Sequence, residues 1–163
     1  MEIAKNVLHE ILTECRHYEN ESDNVYKDVE GKRVRIVCAD VDKLNIQIGK
    51  EYITNMLEDD TAHMIIIYYC ITSSTQKMFT ELNNYHIELF NIDELRFNLT
   101  KHKLVPIHIR LSDDEKKEFL QKIGENIPII LKTDPIAKIY DYRPTDIVKI
   151  IRPGNEISYR ICK

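Results

Sequence analysis

The sequence predicts an α+β protein of two modules: an α/β domain with a small mixed sheet over residues 1–97, and a compact α+β module over residues 98–163 that ends in a β-hairpin. Three observations carry this. An unbroken apolar run, His63 to Ile71, is followed by a cappable helix and another strand. The last third carries a capping box, an Asp-Pro helix start and a Pro-Gly-Asn turn between apolar runs. The charge also changes sign: residues 1–100 hold 10 Lys and Arg against 18 Asp and Glu, whereas residues 101–163 hold 13 against 9.

Ile3, Val7, Leu8, Ile11, Leu12 and Cys15 recur at helical spacing, with Lys5, Glu10 and Glu14 opposite, which predicts an amphipathic first helix. The polar stretch from Glu19 to Lys32 reads as a loop. Val34 and Ile36 alternate with Arg33 and Arg35 as a half-buried strand, and Leu44, Ile46 and Ile48 alternate in the same way. Tyr52, Ile53, Met56 and Leu57 suggest a short helix running into Glu58-Asp59-Asp60. The run from His63 fits a central strand buried on both faces; residues 72–75 cap a helix bearing Met78, Phe79 and Leu82; His86 to Phe90 returns as a strand. Strand, helix and strand make a βαβ unit with an expected right-handed crossover.

In the second module, LVPIHIRL is extended around Pro106, and Ser112 with Glu115 forms a capping box. Phe119, Leu120 and Ile123 give that helix an apolar face, and Gly124 can end it. Asp134 and Pro135 start a second helix with Ile136, Ile139 and Tyr140 on its buried side. IVKIIR and EISYRI then pair across Pro153-Gly154-Asn155. A module this small is marginal alone and is expected to lean on a partner.

Composition excludes several classes. With 43% hydrophobic and 31% charged residues the chain is ordinary for a globular protein. Its N-terminus lacks a signal-peptide pattern, and its longest apolar run is too short for a bilayer, so an intracellular protein with no membrane partner is expected. The four cysteines contain no C-x-x-C pair, which argues for reduced, mostly buried thiols rather than zinc ligands or disulfides. No phosphate loop or hydrolase signature is present, and neither cofactor, catalytic residue nor small-molecule substrate is indicated. His102 and His108 lack further ligands nearby, and His9 and His17 face different sides of their helix. A Mg²⁺-dependent nuclease would need an acid followed by an acid-x-lysine on the next strand. Here Glu30-Gly31-Lys32 precedes Asp40 and Asp42, so the order is wrong. Lys149, Arg152 and Arg160 with Tyr159 suit a protein interface better than a nucleic-acid track, since no longer basic and aromatic stripe surrounds them.

HKLVPIHIRLSDDEKKEFL, ILKTDPIAKIY, DIVKIIRP and ISYRICK together resemble the fifth-largest-subunit family of eukaryotic nuclear RNA polymerases, whose archaeal members consist of the C-terminal module alone. The matching positions are His102, Leu104, Val105, Pro106, His108, Asp134, Pro135, Ala137, Lys138, Tyr140, Val148, Lys149, Ile150, Ile151, Arg152, Pro153, Tyr159 and Arg160. The resemblance implies a non-catalytic subunit of a multisubunit DNA-dependent RNA polymerase. Its C-terminal assembly domain would dock on the largest subunit through Pro106, His108, Asp134, Pro135, Lys138, Tyr140, Lys149, Arg152, Pro153, Tyr159 and Arg160. Its N-terminal domain would be a lower-jaw domain of nuclease-like, non-catalytic fold near downstream DNA, with Lys32, Arg33 and Arg35 nearest that DNA. A nuclease-like enzyme and a stand-alone adaptor that reuses the C-terminal module are the competing readings.

The sequence departs from the family pattern at particular places. Ile127-Pro128-Ile129 stands where the family has Leu-Pro-Arg, and Asp141 and Thr145 take glycine positions, so a turn needing positive φ must be strained or rebuilt. The shortened, isoleucine- and asparagine-rich form resembles one encoded by a large DNA virus, which implies the virion and host cytoplasm; a cellular form would imply the nucleus.

Overall fold

In the computed structural model, which describes residues 1–163 apart from 60, 62, 83 and 125, the apolar run becomes β4 (His63–Tyr68), with Met64, Ile65, Ile66 and Ile67 all fully buried. β-branched side chains favour the strand, and alternation sends Met64 and Ile66 to one face and Ile65 and Ile67 to the other. Burying each such side chain contributes about 1.5–3 kcal/mol, so this strand organises what surrounds it. It lies between β3 (Arg33–Ala39) and β5 (His86–Asn91), parallel to both. The first of two compact units, Met1–Asn98, is built on this sheet.

The sheet extends beyond β3 through β2 (Val25–Lys27) to β1 (Glu19–Ser22), both antiparallel, giving the order β1-β2-β3-β4-β5. The expected loop over 19–32 is therefore corrected: most of it is a hairpin turning at Asn24, where φ is +63°. All four β1 residues are exposed, so the strand lacks the alternation that would mark it in the sequence. The remainder is a tight loop in which Asp28 Oδ1 accepts from the backbone N–H groups of Glu30 and Lys32.

On one face lie α2 (Ile46–Glu58) and α3 (Ser73–Glu81), packing Met56 and Phe79 against Ala39, Leu44, Met64 and Ile66. The expected strand at 44–48 is a second correction. Asn45 accepts from the backbone N–H groups of Gln47 and Ile48 and starts a helix that absorbs the short one foreseen at 52–57. Leu44 alone stays extended, bridging to Ile71. Glu58 ends α2 and Asp59 caps it; Asp60 lies outside the described residues. As the capping residues foretold, Thr72 accepts from Thr75 N–H at the start of α3.

The opposite face is covered by α1 (Glu2–Glu10), which continues through a π-helical turn at Ile11–Cys15. Leu8, Ile11 and Leu12 are buried as predicted, but Ile3 is 70% exposed and Ala4 takes its place inward. Two polar ties hold this layer. His9 Nδ1 lies 2.6 Å from the Tyr26 hydroxyl, and Arg16 donates from both terminal nitrogens to Glu88, each at 2.7 Å. Glu88 Oε1 also lies 2.8 Å from His63 Nε2. Burial alone would raise the Glu88 pKa, but Arg16, through charge and hydrogen bonds, and His63 outweigh it and hold the carboxyl well below its usual range.

The second unit, Leu99–Lys163, carries a sheet in the order β6-β8-β9-β7. β6 (Ile107–Arg110) pairs antiparallel with β8 (Ile147–Arg152), and β8 with β9 (Glu156–Cys162) across the expected Pro-Gly-Asn turn. β7 (Ile129–Ile130) runs parallel to β9; at two residues it gives no sequence signal. α4 (Asp113–Ile123) has the foreseen capping box and ends at Gly124, with φ +81°. Its apolar side is less covered than expected, since Ile123 is 60% exposed and no α4 residue is fully buried. α5 (Pro135–Ile139) begins with Asp134 accepting from Ile136 N–H at 2.8 Å. Ile130, Ala137, Tyr142, Val148, Ile150 and Cys162 form the core. Of the thiols only Cys162 is fully buried; Cys15 and Cys38 are intermediate and Cys70 is exposed, which corrects the expectation of mostly buried cysteines.

The turn after α5 keeps the conformation that glycine would adopt: φ is +49° at Asp141 and +76° at Thr145. Arg110 supports it by donating to the carbonyls of Tyr140 and Asp141, at 3.0 and 2.6 Å, and by pairing with Asp146 at 3.1 Å. Thr145 is β-branched, so positive φ is costly there.

Two measurements follow from these features. Thr145→Gly should stabilise the full chain by about 1 kcal/mol, because relief of strain exceeds glycine's entropic penalty; an unchanged or lower urea midpoint would refute the strain. Arg16→Met should cost about 3–5 kcal/mol by stranding a buried carboxylate, and Arg16→Met with Glu88→Leu should restore most of it. A double variant as unstable as the single one would show that the pair is not the cause.

Candidate functional site

A groove of about 560 Å³ opens in the C-terminal unit, and its walls come from four stretches of chain. Leu104, Val105 and Pro106 lead into β6, where His108 points to the same side as its β8 neighbour Ile150. The facing wall is Ile129 to Leu131, Thr133, Asp134 and Ile136. Arg152 and Arg160 complete it from β8 and β9. Their shared side follows from strand register: Ile150 pairs with Ser158, Val148 with Arg160 and Arg152 with Glu156, so all point one way.

The polar atoms of the groove are held in place. His108 Nδ1 donates to the Pro106 carbonyl at 2.8 Å, since a carbonyl can only accept. Burial is the main cause that lowers the His108 pKa, with Arg152 and Arg160 adding to it, so the ring is neutral at ordinary pH. Arg152 Nη1 donates to Ser158 Oγ at 2.8 Å, and Arg160 Nη1 donates to the Ile129 carbonyl at 3.1 Å, which ties β7 to the rim. Asp134 spends one oxygen on capping α5. Beside these groups stand apolar side chains open to solvent: Leu104 is 78% exposed and Leu131 61%. The result is a basic, apolar-walled trough that can take a chain segment carrying a carboxylate.

Of the residues singled out in the sequence, the groove gathers Pro106, His108, Asp134, Arg152 and Arg160. Lys149 and Tyr159 are paired with each other on the opposite side of the sheet, where Tyr159 packs on Phe119 at 4.3 Å between ring centres. Tyr140 stacks on Tyr142 at 5.5 Å, and Lys138 is half-buried on α5. Pro135 and Pro153 are exposed, one at the first turn of α5 and the other in the hairpin turn. Sequence reasoning passed over Arg110, whose signal was an arginine in the strand beside the end of an α5 lacking glycine.

In the N-terminal unit the cations expected nearest DNA already face carboxylates: Lys32 meets Glu30 at 2.5 Å, Arg33 meets Glu21 at 3.4 Å, and Arg35 meets Asp59. Exposed pairs of this kind are weak and exchangeable, yet they offset the charge offered to phosphate. Asp40 and Asp42 are exposed beyond the end of β3. Among the described residues the one group with convergent metal-ligating atoms is His63, His86 and Glu88, which includes neither aspartate. That trio escaped the sequence reading because His63 joins the His86 and Glu88 pair only through the pairing of β4 with β5.

The groove lies within the stretch that a family model matches. Residues 97–162 match the family model described as RNA polymerase Rpb5, C-terminal domain. The chain is 33% identical over 150 residues to the Dictyostelium discoideum DNA-directed RNA polymerases I, II, and III subunit rpabc1, covering 85% of this chain and 76% of that one. It is 30% identical over 115 residues to the putative DNA-directed RNA polymerase subunit 454R of Invertebrate iridescent virus 6, covering 59% and 62% respectively. A solved structure, the ATP-dependent Type ISP restriction-modification enzyme LlaBIII bound to DNA, covers 83% of this chain and 12% of its own at 17% identity, with a TM-score of 0.43, too low to carry an argument.

Proposed function

This chain belongs to the Rpb5 family of RNA polymerase subunits, and from that membership we propose that it serves its polymerase as a docking and jaw subunit without an active site of its own. The C-terminal unit is the assembly domain. It seats a segment of the largest polymerase subunit in the groove lined by Pro106, His108, Asp134, Arg152 and Arg160. The observation that carries this reading is the coincidence of residues shared with the family and a trough combining two arginines with exposed apolar walls. Arginine beside apolar surface is the composition of interface hot spots. Lys149 and Tyr159 are on the far side, where Tyr159 supports the fold by packing on Phe119.

The N-terminal unit is the lower-jaw domain near downstream DNA. Its mixed sheet with helices on both faces supports a nuclease-like descent, and the dispersed carboxylates support the absence of catalysis. The charge balance of residues 1–100, with 18 acidic against 10 basic side chains, leaves little Coulomb attraction for duplex DNA. Any contact by Lys32, Arg33 and Arg35 is local and requires exchange of their present carboxylate partners. The protein works inside the cell: in the nucleus for a cellular polymerase, in the virion and host cytoplasm for the viral form that the shortened sequence resembles.

Tagged full-length protein, expressed where its polymerase is made, should recover the largest subunit in equal amount. Arg152→Glu with Arg160→Glu should weaken that recovery by roughly 30-fold, the equivalent of about 2 kcal/mol for lost interfacial charge contacts. Lys122→Glu, on the exposed side of α4, should leave it unchanged; full recovery by the arginine double variant would place the docking surface elsewhere. Fluorescence anisotropy of the isolated protein with duplex DNA at physiological salt should give a Kd weaker than about 1 µM, and tighter binding would overturn the charge argument.

A further inference from the structure

At the starting ends of β4 and β5, His63 and His86 are directly paired across the parallel ladder, and Glu88 follows two residues on, pointing to the same face. We propose that His63, His86 and Glu88 form a site for a divalent transition-metal ion of the zinc class, one that pins β4 to β5 at the edge of the α1 layer. Their ligand atoms lie within 4.8 Å of one another. Zinc held by two imidazoles and a carboxylate has bonds of about 2.0–2.2 Å, so the donors need to close by about an ångström or somewhat more.

The chemistry of the three groups suits the ion. Arg16 holds Glu88 ionised, the form that ligates. The imidazoles are stacked, with centres 4.1 Å apart and planes 5° from parallel. Each ring brings a nitrogen to the cluster, and the neutral imidazole lone pair is what ligates a metal. Parallel rings cannot both aim at one ion, and the one that turns is His86, which is half-exposed while His63 is 6% exposed. The present contact of His63 Nε2 with Glu88 Oε1, at 2.8 Å, opens to admit the metal. The His63 proton then resides on Nδ1, and Nε2 becomes the ligand atom. Oε2 of Glu88 keeps its 2.7 Å bond to Arg16, which orients the carboxylate as outer partners do around metal ligands. The nearby guanidinium opposes a cation, so the site favours a metal that gains from imidazole over one that wants only oxygen, which excludes Mg²⁺ and Ca²⁺.

The full chain, freed of metal with a chelator and dialysed, is titrated with Zn²⁺ and with Co²⁺. The expected result is one equivalent bound, with visible d–d absorption from a low-coordinate Co²⁺ and a higher urea midpoint in the presence of Zn²⁺. His86→Ala should weaken Zn²⁺ binding by at least roughly tenfold and remove the midpoint shift, and His63→Gln should do the same if it folds. His102→Ala, in the other unit, should change neither. Absence of stoichiometric uptake, or uptake and a midpoint shift that survive His86→Ala, overturns the proposal.

Discussion

The N-terminal unit depends on burying both faces of β4. Met64 to Ile67 are inaccessible on either side, and a strand of that kind is stable only between two layers of helix. Its Met64 and Ile66 side requires α2 and α3; its Ile65 and Ile67 side requires α1. The βαβ connection, the parallel neighbours and the placement of α1 all follow from this. The edges follow too, because β3 must be continued outward, and the antiparallel β2 and β1 do so with polar residues that tolerate solvent. Arg16 and Glu88 then become buried where the α1 layer meets the sheet end. Their bidentate pairing contributes less by its attraction than by keeping two charges from being stranded.

The C-terminal unit solves a different problem with fewer residues. It has one small core, around Val148, Ile150 and Tyr142, and little material with which to cover its other surfaces. Leu104, Ile107, Ile123, Leu131 and Ile157 consequently remain open to solvent. Among the described residues it also carries three non-glycine residues in left-handed conformations, Asn155 in the hairpin turn and Asp141 and Thr145 after α5, the latter two tied by Arg110 and a Thr145 N–H bond to Cys162 O. A module that retains exposed aliphatic side chains and local strain is one whose surroundings have selected its surface more strongly than its isolated stability.

What the sequence disclosed tracks how strongly each element couples pattern to burial. β4, α3 and β5 were legible because a continuous apolar run bounded by capping hydroxyls has few alternatives. Ser112 with Glu115 and Asp134 with Pro135 were legible because caps are local chemistry, decided within one turn. β1 was not, since Glu19 to Ser22 are all exposed and carry no alternation. Leu44, Ile46 and Ile48 misled for a subtler reason: three apolar residues alternating with Asn45 and Gln47 fit a strand over five positions, and Asn45 as a cap was the stronger signal. The groove residues could be named through resemblance, but that Arg152 and Arg160 share a trough while Lys149 and Tyr159 lie behind it required the register of β8 and β9. His63, His86 and Glu88 illustrate the limit most clearly, because His63 reaches the other two only through strand pairing, which no local pattern announces.

The docking surface we propose is the groove rather than the reverse of the same sheet, and the reason is how each side is occupied by its own chain. Behind the sheet, α4 already presents Phe119 to Tyr159, and Lys116 reaches Thr145, so part of that side is internally satisfied. On the groove side the arginines use one terminal nitrogen each for Ser158 and for the Ile129 carbonyl in the hydrogen bonds described above. Such bonds fix the direction of each guanidinium without exhausting its donors, and a planar fork fixed in direction loses less entropy on meeting a carboxylate. Neutral His108 and exposed Leu104 and Leu131 add surface that gains from leaving water. Directed arginines beside uncovered aliphatic walls are what the folded unit offers on that side, whereas the reverse of the sheet sets exposed Ile107, Ile109 and Ile157 beside Lys149.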